Sequence, residues 1–140
     1  MNTAPLDKKE ANVPERTGEP LISIVDDDAS VRRSTSRLLR STGLRTEAFA
    51  SAEEFLQSGH VEETTCLLLD VRMPGINGLE LQRRLVASGR FVPIIFLSAR
   101  ASEEEERRGL RGGAAGFLRK PVNKERLLQA ILAALENKTN

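Results

Sequence analysis

The feature that most constrains the fold is a repeated alternation between short apolar runs and longer segments with helical periodicity. Between residues 21 and 138, each of five strand-like runs precedes a helix-like segment. This alternation predicts an α/β fold in which a parallel sheet carries helices on both faces, joined by right-handed crossovers. In chain order, the segments are LISIV, ASVRRSTSRLLRST, TEAF, SAEEFLQS, CLLLD, GLELQRRLVASG, PIIFLS, SEEEERRGLRGG, AGFLRK and NKERLLQAILAALENK.

The polarity of the strand runs predicts their place in the sheet. The runs at 21–25, 66–70 and 94–97 are almost continuously apolar, which is typical of central strands covered on both faces. The run TEAF, at 46–49, is shorter and half polar, which suits an edge strand. At 140 residues the chain can close one core but not two substantial ones. We therefore predict one doubly wound α/β domain.

Composition excludes several classes of function. The chain has 21 Lys and Arg against 20 Asp and Glu, a formal net charge of +1, so no overall field favours nucleic acid or a membrane surface. No apolar run approaches the roughly 18 residues that a membrane span needs, and the start MNTAPLDKKE has no signal-peptide core. We expect a cytoplasmic protein that binds neither nucleic acid nor membrane directly.

Three local features have structural interpretations. Residues 1–19 mix Pro, Gly and charge without apolar periodicity, which predicts a flexible N-terminal tail. The only cysteine, Cys66, opens the apolar run CLLLD, which favours a buried, inert thiol and excludes an internal disulfide. The only histidine, His60, stands in the polar segment QSGHVEETT, which favours a surface loop over a metal or catalytic site.

Polar residues follow the predicted strands at their carboxyl ends, where open α/β sheets bind ligands. All of these residues are expected at one rim of the sheet. They are Asp26, Asp27 and Asp28 after the first strand, Asp70 after the third, Ser98 after the fourth, and Arg119 and Lys120 after the fifth.

Several carboxylates at one rim repel one another unless a cation or protons intervene. Hard divalent ions such as Mg²⁺ prefer carboxylate and carbonyl oxygens, and they need only one or two protein carboxylates. An acid left free can attack a phosphoryl group and form an acyl phosphate, while Ser98 donates a hydrogen bond and Lys120 supplies a positive charge. The alternative is that these residues only cap helices and solvate loops, which their convergence on successive strand ends disfavours.

The segments VDDD, LLLDVRMPGING, IIFLSA and GFLRKP, in this order, resemble the receiver domain of two-component response regulators. The resemblance covers residues 20–138 and is strongest to FixJ-type receivers, through IVDDDASVRRS, SAEEFL and DVRMPGINGLEL. It implies a CheY-like, flavodoxin-like (βα)5 fold with strand order 2-1-3-4-5. It also implies a protein that promotes only its own phosphorylation and autodephosphorylation, rather than a turnover enzyme.

The resemblance assigns the metal and phosphoryl residues by position. Asp70 matches the phosphorylated aspartate. Asp26 and Asp27 match the acidic pair that binds Mg²⁺ or Mn²⁺ together with Asp70, with Asp27 as the more direct ligand. The main-chain carbonyl of Arg72 completes that metal site, and the side chain of Arg72 stands, with Arg100, at a position that tunes the lifetime of the acyl phosphate.

The resemblance also assigns the switch residues. Ser98 matches the hydroxyl residue that turns toward the phosphoryl group, and Phe117 takes the position of the aromatic ring that moves with it. Lys120 matches the lysine that pairs with the phosphoryl group. A cis peptide bond is implied between Lys120 and Pro121, which is plausible because X-Pro bonds adopt cis at low cost.

The partner surface comes mainly from the resemblance. By local sequence, Asp28 is expected to cap the first helix, and its family position also faces the kinase. The expected partners are a sensor histidine kinase or a histidine phosphotransfer protein, and a downstream protein or output domain. The kinase-contact residues implied are Asp28, Ser30, Val31, Ser34 and Val122.

The fourth helix, SEEEERRGLRGG, departs from the FixJ-type pattern. It has almost no apolar stripe, and Gly109 and Gly112 each cost about 1 kcal/mol relative to Ala in a helix interior. The i,i+4 ion pairs expected between Glu103 and Arg107 and between Glu104 and Arg108 would each stabilise the helix by only a few tenths of a kcal/mol. Because FixJ-type receivers pair through this face with apolar residues, we expect only a weak or electrostatic homodimer.

Two questions of function remain open at the level of sequence. A small Mg²⁺-dependent aspartyl-phosphate phosphohydrolase is the rival interpretation, but dehalogenase-type enzymes place an acid two residues after the nucleophile, where this chain has Arg72. An output DNA-binding domain would need on the order of 60 further residues, so none is expected in this chain. It is then either a stand-alone receiver or the receiver portion of a longer FixJ-type regulator.

Overall fold

The five strands form one parallel sheet, in a computed structural model that describes residues 19–139. Nearly all of the predicted N-terminal tail lies outside these residues. None of the helices in residues 19–139 combines the length and the hydrophobicity of a membrane span. The elements are β1 (Leu21–Val25), α1 (Ala29–Ser41), β2 (Arg45–Phe49), α2 (Ala52–Gln57), β3 (Thr64–Leu69), α3 (Gly78–Ala87), β4 (Ile94–Ser98), α4 (Glu103–Arg111), β5 (Gly116–Arg119) and α5 (Lys124–Thr139).

The strand order is β2-β1-β3-β4-β5, which confirms the order implied by the resemblance. Strands β1 and β4 are buried along their whole length. Strand β2 alternates between buried and more exposed positions, as expected of an edge strand. The pairing of Val25 with Leu69 aligns the ends of β1 and β3. The residues that follow these two strands therefore start side by side.

Side chains on the two faces of the sheet form two apolar layers, because successive residues of a strand point to opposite faces. Along β3, Leu67 and Leu69 pack into the layer under α2 and α3, whereas Cys66 and Leu68 pack into the layer under α1 and α5. Burial raises the pKa of the Cys66 thiol to about 12. The thiolate is therefore absent at neutral pH, in agreement with the inert thiol predicted.

Helix α4 begins with a complete capping box, in which Ser102 and Glu105 each accept a hydrogen bond from the other's main-chain N–H. Gly112 is the C-cap rather than an interior residue, so its predicted helix penalty does not apply. Gly109 is buried, and a Cβ there would lie 2.8 Å from Cε2 of Phe96. The glycine at 109 is thus a packing requirement: it lets the helix backbone approach the Phe96 ring.

The ion pairs of α4 differ from those predicted. Arg107 pairs with Glu104, three residues earlier, at 3.0 Å, and Arg119 from β5 pairs with Glu106 at 2.9 Å. Helix α4 is therefore supported by its capping box and by contacts to other elements more than by the expected i,i+4 pairs.

Candidate phosphoryl and metal site

Three carboxylates meet at the carboxyl ends of β1 and β3. The N–H of Asp70 donates to the carbonyl of Val25 at 3.0 Å, which extends the strand pairing by one residue and sets Asp70 beside Asp26. One carboxylate oxygen from each of Asp26, Asp27 and Asp70 lies within 4.8 Å of the others. Asp26 and Asp70 are buried, and Asp27 is exposed. The structure therefore brings together the acids that the sequence placed at this rim.

Lys120 is the cation that faces these acids. Its Nζ donates to Oδ2 of Asp26 at 2.6 Å and to Oδ2 of Asp70 at 3.3 Å. Burial lowers the pKa of Lys120, but the hydrogen bond to Asp26 and the attraction of both carboxylates outweigh it, so the net pKa is raised. Burial raises the pKa of Asp70, and Lys120 only partly opposes this. Among the described residues, Lys120 alone forms an ion pair with these acids, so the three carboxylates keep an excess of negative charge.

The main chain and helix α1 hold Asp26 firmly. Its Oδ1 accepts the N–H of Asp28 at 2.9 Å, and its carbonyl accepts Nη1 of Arg32 at 2.7 Å. Asp28 in turn caps α1, accepting the N–H groups of Ser30 and Val31, which confirms the predicted cap. The contact from Arg32 had no sequence signal, because an arginine on a basic helix is ordinarily read as a solvated side chain.

Asp70 makes fewer and weaker contacts than Asp26. Its Oδ1 accepts only the N–H of Arg72, at 3.3 Å, and its Oδ2 accepts only Lys120, among the hydrogen bonds found in residues 19–139. The carbonyl of Asp70 lies so close to Gly78 that any Cβ there would clash with it. Asp70 is thus fixed by its backbone while its carboxylate oxygens stay comparatively uncommitted.

Ser98 and Lys120 complete one pocket with the acids. The cavity is about 350 Å³, and Arg72 and Arg100 also line it. Ser98 is fully buried, and its hydroxyl has no hydrogen-bond partner among the described residues. Such groups are rare because burial without a partner costs about 1–3 kcal/mol. The Ser98 hydroxyl is available to donate to a ligand oxygen.

Phe117 and Arg119 lie on the α4 side of the sheet end rather than in the pocket. The centroid of the half-buried Phe117 ring lies 5.6 Å from that of the Phe96 ring. The Arg119 guanidinium carbon lies 5.4 Å from the Phe117 centroid. Arg119 also donates to the carbonyl of Ala101. The sequence placed Arg119 and Lys120 at one rim, but neighbouring residues of a strand point to opposite faces, and only Lys120 faces the acids.

The remaining predicted residues border the pocket. The peptide bond between Lys120 and Pro121 is cis. Ser30 and Ser34 are exposed on α1, Val31 lines the pocket, and Val122 packs against the apolar layer under α1 and α5. The first turn of α1 therefore stands at the pocket mouth.

The predicted surface histidine has a partner. His60 is partly buried, and its Nδ1 contacts Oε1 of Glu63, which also pairs with Arg45 at 2.8 Å. The His60 hydrogen bond is the leading cause of a lowered pKa at Glu63, and Arg45 adds to it. This cluster lies away from the acids, so His60 has no place in the candidate site.

Comparison with protein families identifies the chain. The model of the response regulator receiver domain matches residues 22–132. The chain belongs to this family. Among curated relatives, Nodulation protein W of Bradyrhizobium diazoefficiens is 43% identical over 122 residues, which are 87% of this chain and 54% of the relative. The transcriptional regulatory protein FixJ of Azorhizobium caulinodans is 37% identical over 114 residues, 81% of this chain and 54% of FixJ.

Solved structures agree with this assignment of the receiver. The response regulator StyR superposes with a TM-score of 0.79 at 41% identity, covering 85% of this chain and 60% of StyR. The structure of FixJ-N superposes with a TM-score of 0.77 at 29% identity, covering 84% of this chain and 94% of FixJ-N. The chain spans about half the length of the curated relatives it matches. Its family role is that of the phosphoacceptor module in two-component signalling.

Proposed function

We propose that this receiver is switched by transfer of a phosphoryl group to Asp70. The observation that carries the proposal is the single pocket in which Asp70, the other two acids, Lys120 and the unpartnered Ser98 hydroxyl converge. An oxygen of Asp70 attacks phosphorus and forms a new P–O bond. The bond from phosphorus to the donor's histidine nitrogen breaks, and its electron pair stays on that nitrogen.

The contacts of the two buried acids support Asp70 as the acceptor. Asp26 is committed to Lys120 at 2.6 Å and to the N–H of Asp28, whereas both contacts of the Asp70 carboxylate are 3.3 Å long. The carboxylate with the weaker contacts is the better nucleophile. Lys120 and Ser98 are then placed to bind phosphoryl oxygens with a positive charge and a hydroxyl donor.

The donor set fits a hard divalent cation. Asp26, Asp27 and Asp70, with the main-chain carbonyl of Arg72, would hold Mg²⁺ or Mn²⁺ through oxygen atoms alone. When bound, the cation neutralises charge between the acids and the incoming phosphoryl group. Lys120 alone does not balance three acids, which is why we infer a metal requirement.

The switch is proposed to run from Ser98 to Phe117. Once a phosphoryl oxygen offers an acceptor, the Ser98 hydroxyl turns toward it, because burial without a partner is costly. Phe117 packs on Phe96, which stands two residues before Ser98 in β4, so the Phe117 ring follows the change in β4. The altered face of β4 and β5 then controls a downstream protein or output domain, or a weak homodimer.

The proposed partner on the input side is a sensor histidine kinase or a histidine phosphotransfer protein. The first turn of α1 stands at the pocket mouth with Val31 and the capping residue Asp28. Ser30 in this turn and Ser34 in the next are exposed. With Val122, these residues would guide a donor histidine to Asp70. No direct contact with nucleic acid is proposed for this chain.

A phosphohydrolase remains the weaker candidate. Its acid/base would stand two residues after Asp70, where Arg72 is engaged in an ion pair with Glu105 at 2.8 Å. A guanidinium does not exchange protons near neutral pH. The chain therefore has no group at that position to drive repeated turnover, and its reactions are those of its own phosphorylation and dephosphorylation.

The test is phosphorylation of the chain with acetyl phosphate and Mg²⁺, read by intact mass. We expect an adduct on the wild type and on Asp28→Asn, a matched control because Asn keeps the helix cap. We expect none on Asp70→Asn, and none on the wild type in excess chelator. An adduct that forms equally on Asp70→Asn would show that the acceptor lies elsewhere.

A further inference from the structure

Arg72 is tied to the first turn of α4 by an ion pair between residues 33 positions apart in sequence. Its Nη2 donates to Oε1 of Glu105 at 2.8 Å, and the same oxygen accepts the N–H of Ser102 at 2.9 Å. The pKa of Glu105 is lowered, first by the Ser102 N–H and further by Arg72. The helix cap thus holds an ionised carboxylate in place, and that carboxylate anchors the arginine.

The residue that Glu105 anchors also borders the phosphoryl pocket. Arg72 lines this pocket together with Asp70, and it also lines an adjoining cavity of about 390 Å³ that includes Glu105. Asp27 and Arg100 border both cavities. Arg72 therefore stands between the phosphoryl pocket and the neighbouring groove.

We propose that Glu105 is a positioning residue that fixes the side chain of Arg72 beside the phosphoryl pocket and so prolongs the phosphorylated state of Asp70. The inference rests on the phosphorylation of Asp70 proposed above. In hydrolysis, a water oxygen attacks phosphorus and the P–O bond to Asp70 breaks, its electron pair returning to the carboxylate. One water proton stays on the phosphate and the other passes to solvent. A fixed Arg72 restricts the approach of that water.

The contact also links the lifetime of the signal to α4. Glu105 is the third residue of this helix and belongs to its capping box. Any partner or neighbouring element that shifts the first turn of α4 moves the anchor of Arg72. The acyl phosphate then becomes sensitive to what binds on α4, although α4 contributes no residue to the phosphoryl pocket itself.

The decisive variant is Glu105→Gln. Gln serves at the third helix position of a capping box as Glu does, so the substitution keeps the cap and removes the charge that fixes Arg72. We expect Glu105→Gln and Arg72→Ala each to shorten the lifetime about two- to fivefold, the rate equivalent of a partly exposed ion pair. Arg72→Lys, which keeps a cation able to pair, is expected to recover part of the loss.

The experiment phosphorylates the full chain with acetyl phosphate and Mg²⁺, removes the donor, and follows the loss of the adduct by intact mass. Glu104→Gln is the matched control: it removes a charge from the same helix turn, but Glu104 pairs with Arg107 at 3.0 Å. Its decay is expected at the wild-type rate. Thermal melting of each variant verifies that the chain is folded.

A double variant separates positioning from a structural role. If Glu105 acts through Arg72, then Arg72→Ala combined with Glu105→Gln decays no faster than Arg72→Ala alone. Equal acceleration by Glu105→Gln in both backgrounds, or a wild-type lifetime in Glu105→Gln, overturns the inference. Absence of any adduct on the wild type overturns the proposed function and this inference with it, so the two failures are distinguishable.

Discussion

Replacing Asp70 with Asn should stabilise the metal-free chain, although it removes the candidate phosphoacceptor. Asp70 is buried, and its pKa is raised by that burial and by the nearby Asp26 charge, with Lys120 opposing. Folding therefore places an ionised carboxylate where its charge is disfavoured. An amide of nearly the same shape removes that charge and keeps the packing.

The size of the effect follows from the distances in the site. At an effective dielectric constant of about 20, two like charges within 4.8 Å repel by roughly 3.5 kcal/mol, or roughly 7 kcal/mol for Asp26 and Asp27 together. The contact with Lys120 at 3.3 Å returns roughly 5 kcal/mol on the same scale. Because Asp27 is exposed, its repulsion is screened, so the attraction and repulsion nearly cancel. The burial of the ionised carboxylate then decides the sign, and we expect Asp70→Asn to be more stable by about 1–2 kcal/mol at pH 7.

The pH dependence has a defined sign. The pKa of Asp70 in the folded chain is raised above its ordinary value of 3.8. Its favourable contribution to stability is therefore complete below the unfolded pKa and is lost as the pH rises through the folded pKa. The advantage of Asp70→Asn should accordingly be largest at neutral pH and should vanish toward pH 4 and below.

The assay is urea unfolding of the wild type and Asp70→Asn in chelator at low salt, repeated with Mg²⁺. Mg²⁺ should stabilise the wild type more than the variant, since ligand at 100 times its dissociation constant adds about 2.7 kcal/mol. The matched control Asp28→Asn keeps the cap of α1 and should change stability by well under 1 kcal/mol. A metal-free Asp70→Asn that is no more stable than the wild type at pH 7 would refute the electrostatic argument.

Two further predictions concern the cation and the glycine. Lys120→Ala leaves Asp26 and Asp70 without their shared cation. The free energy of unfolding at pH 7 should therefore fall by about 2 kcal/mol or more, and adduct formation should slow. Urea unfolding at the wild-type midpoint would contradict this. Gly109→Ala should destabilise by about 1 kcal/mol, because overpacking against Phe96 costs about 1–3 kcal/mol and helix propensity returns at most about 1. Thermal melting should show a smaller loss in a Phe96→Leu background, and a more stable Gly109→Ala would contradict the packing argument.

Sequence reasoning predicted the elements that depend on local pattern. Strand order followed from the family resemblance, and the residues at the carboxyl ends of β1, β3 and β4 were placed at one rim because parallel strands end at the same edge. The cap by Asp28 was predictable because the capping residue and the N–H groups that it accepts are neighbours in sequence.

The contacts that were missed join residues from different elements of the fold. Nothing in the segment DVRMPG indicates that Arg72 meets Glu105, and a glycine in a charged helix gives no sign of the Phe96 ring behind it. Arg119 was placed with Lys120 because the pattern shows where a strand ends, but not which face its last residues take. Such details depend on the packing of elements that sequence periodicity treats separately.

The acids and the lysine of the site lie far apart in sequence, and this separation links phosphorylation to complete folding. Lys120 and Asp26, which share a hydrogen bond, are 94 residues apart in sequence, and Asp70 joins them only because β3 pairs with β1. No fragment that lacks the β1–β3 pairing or the final strand can assemble the constellation. Competence to accept phosphate should therefore report on cooperative folding of the whole domain, so that a nascent or partly unfolded copy cannot relay a false signal.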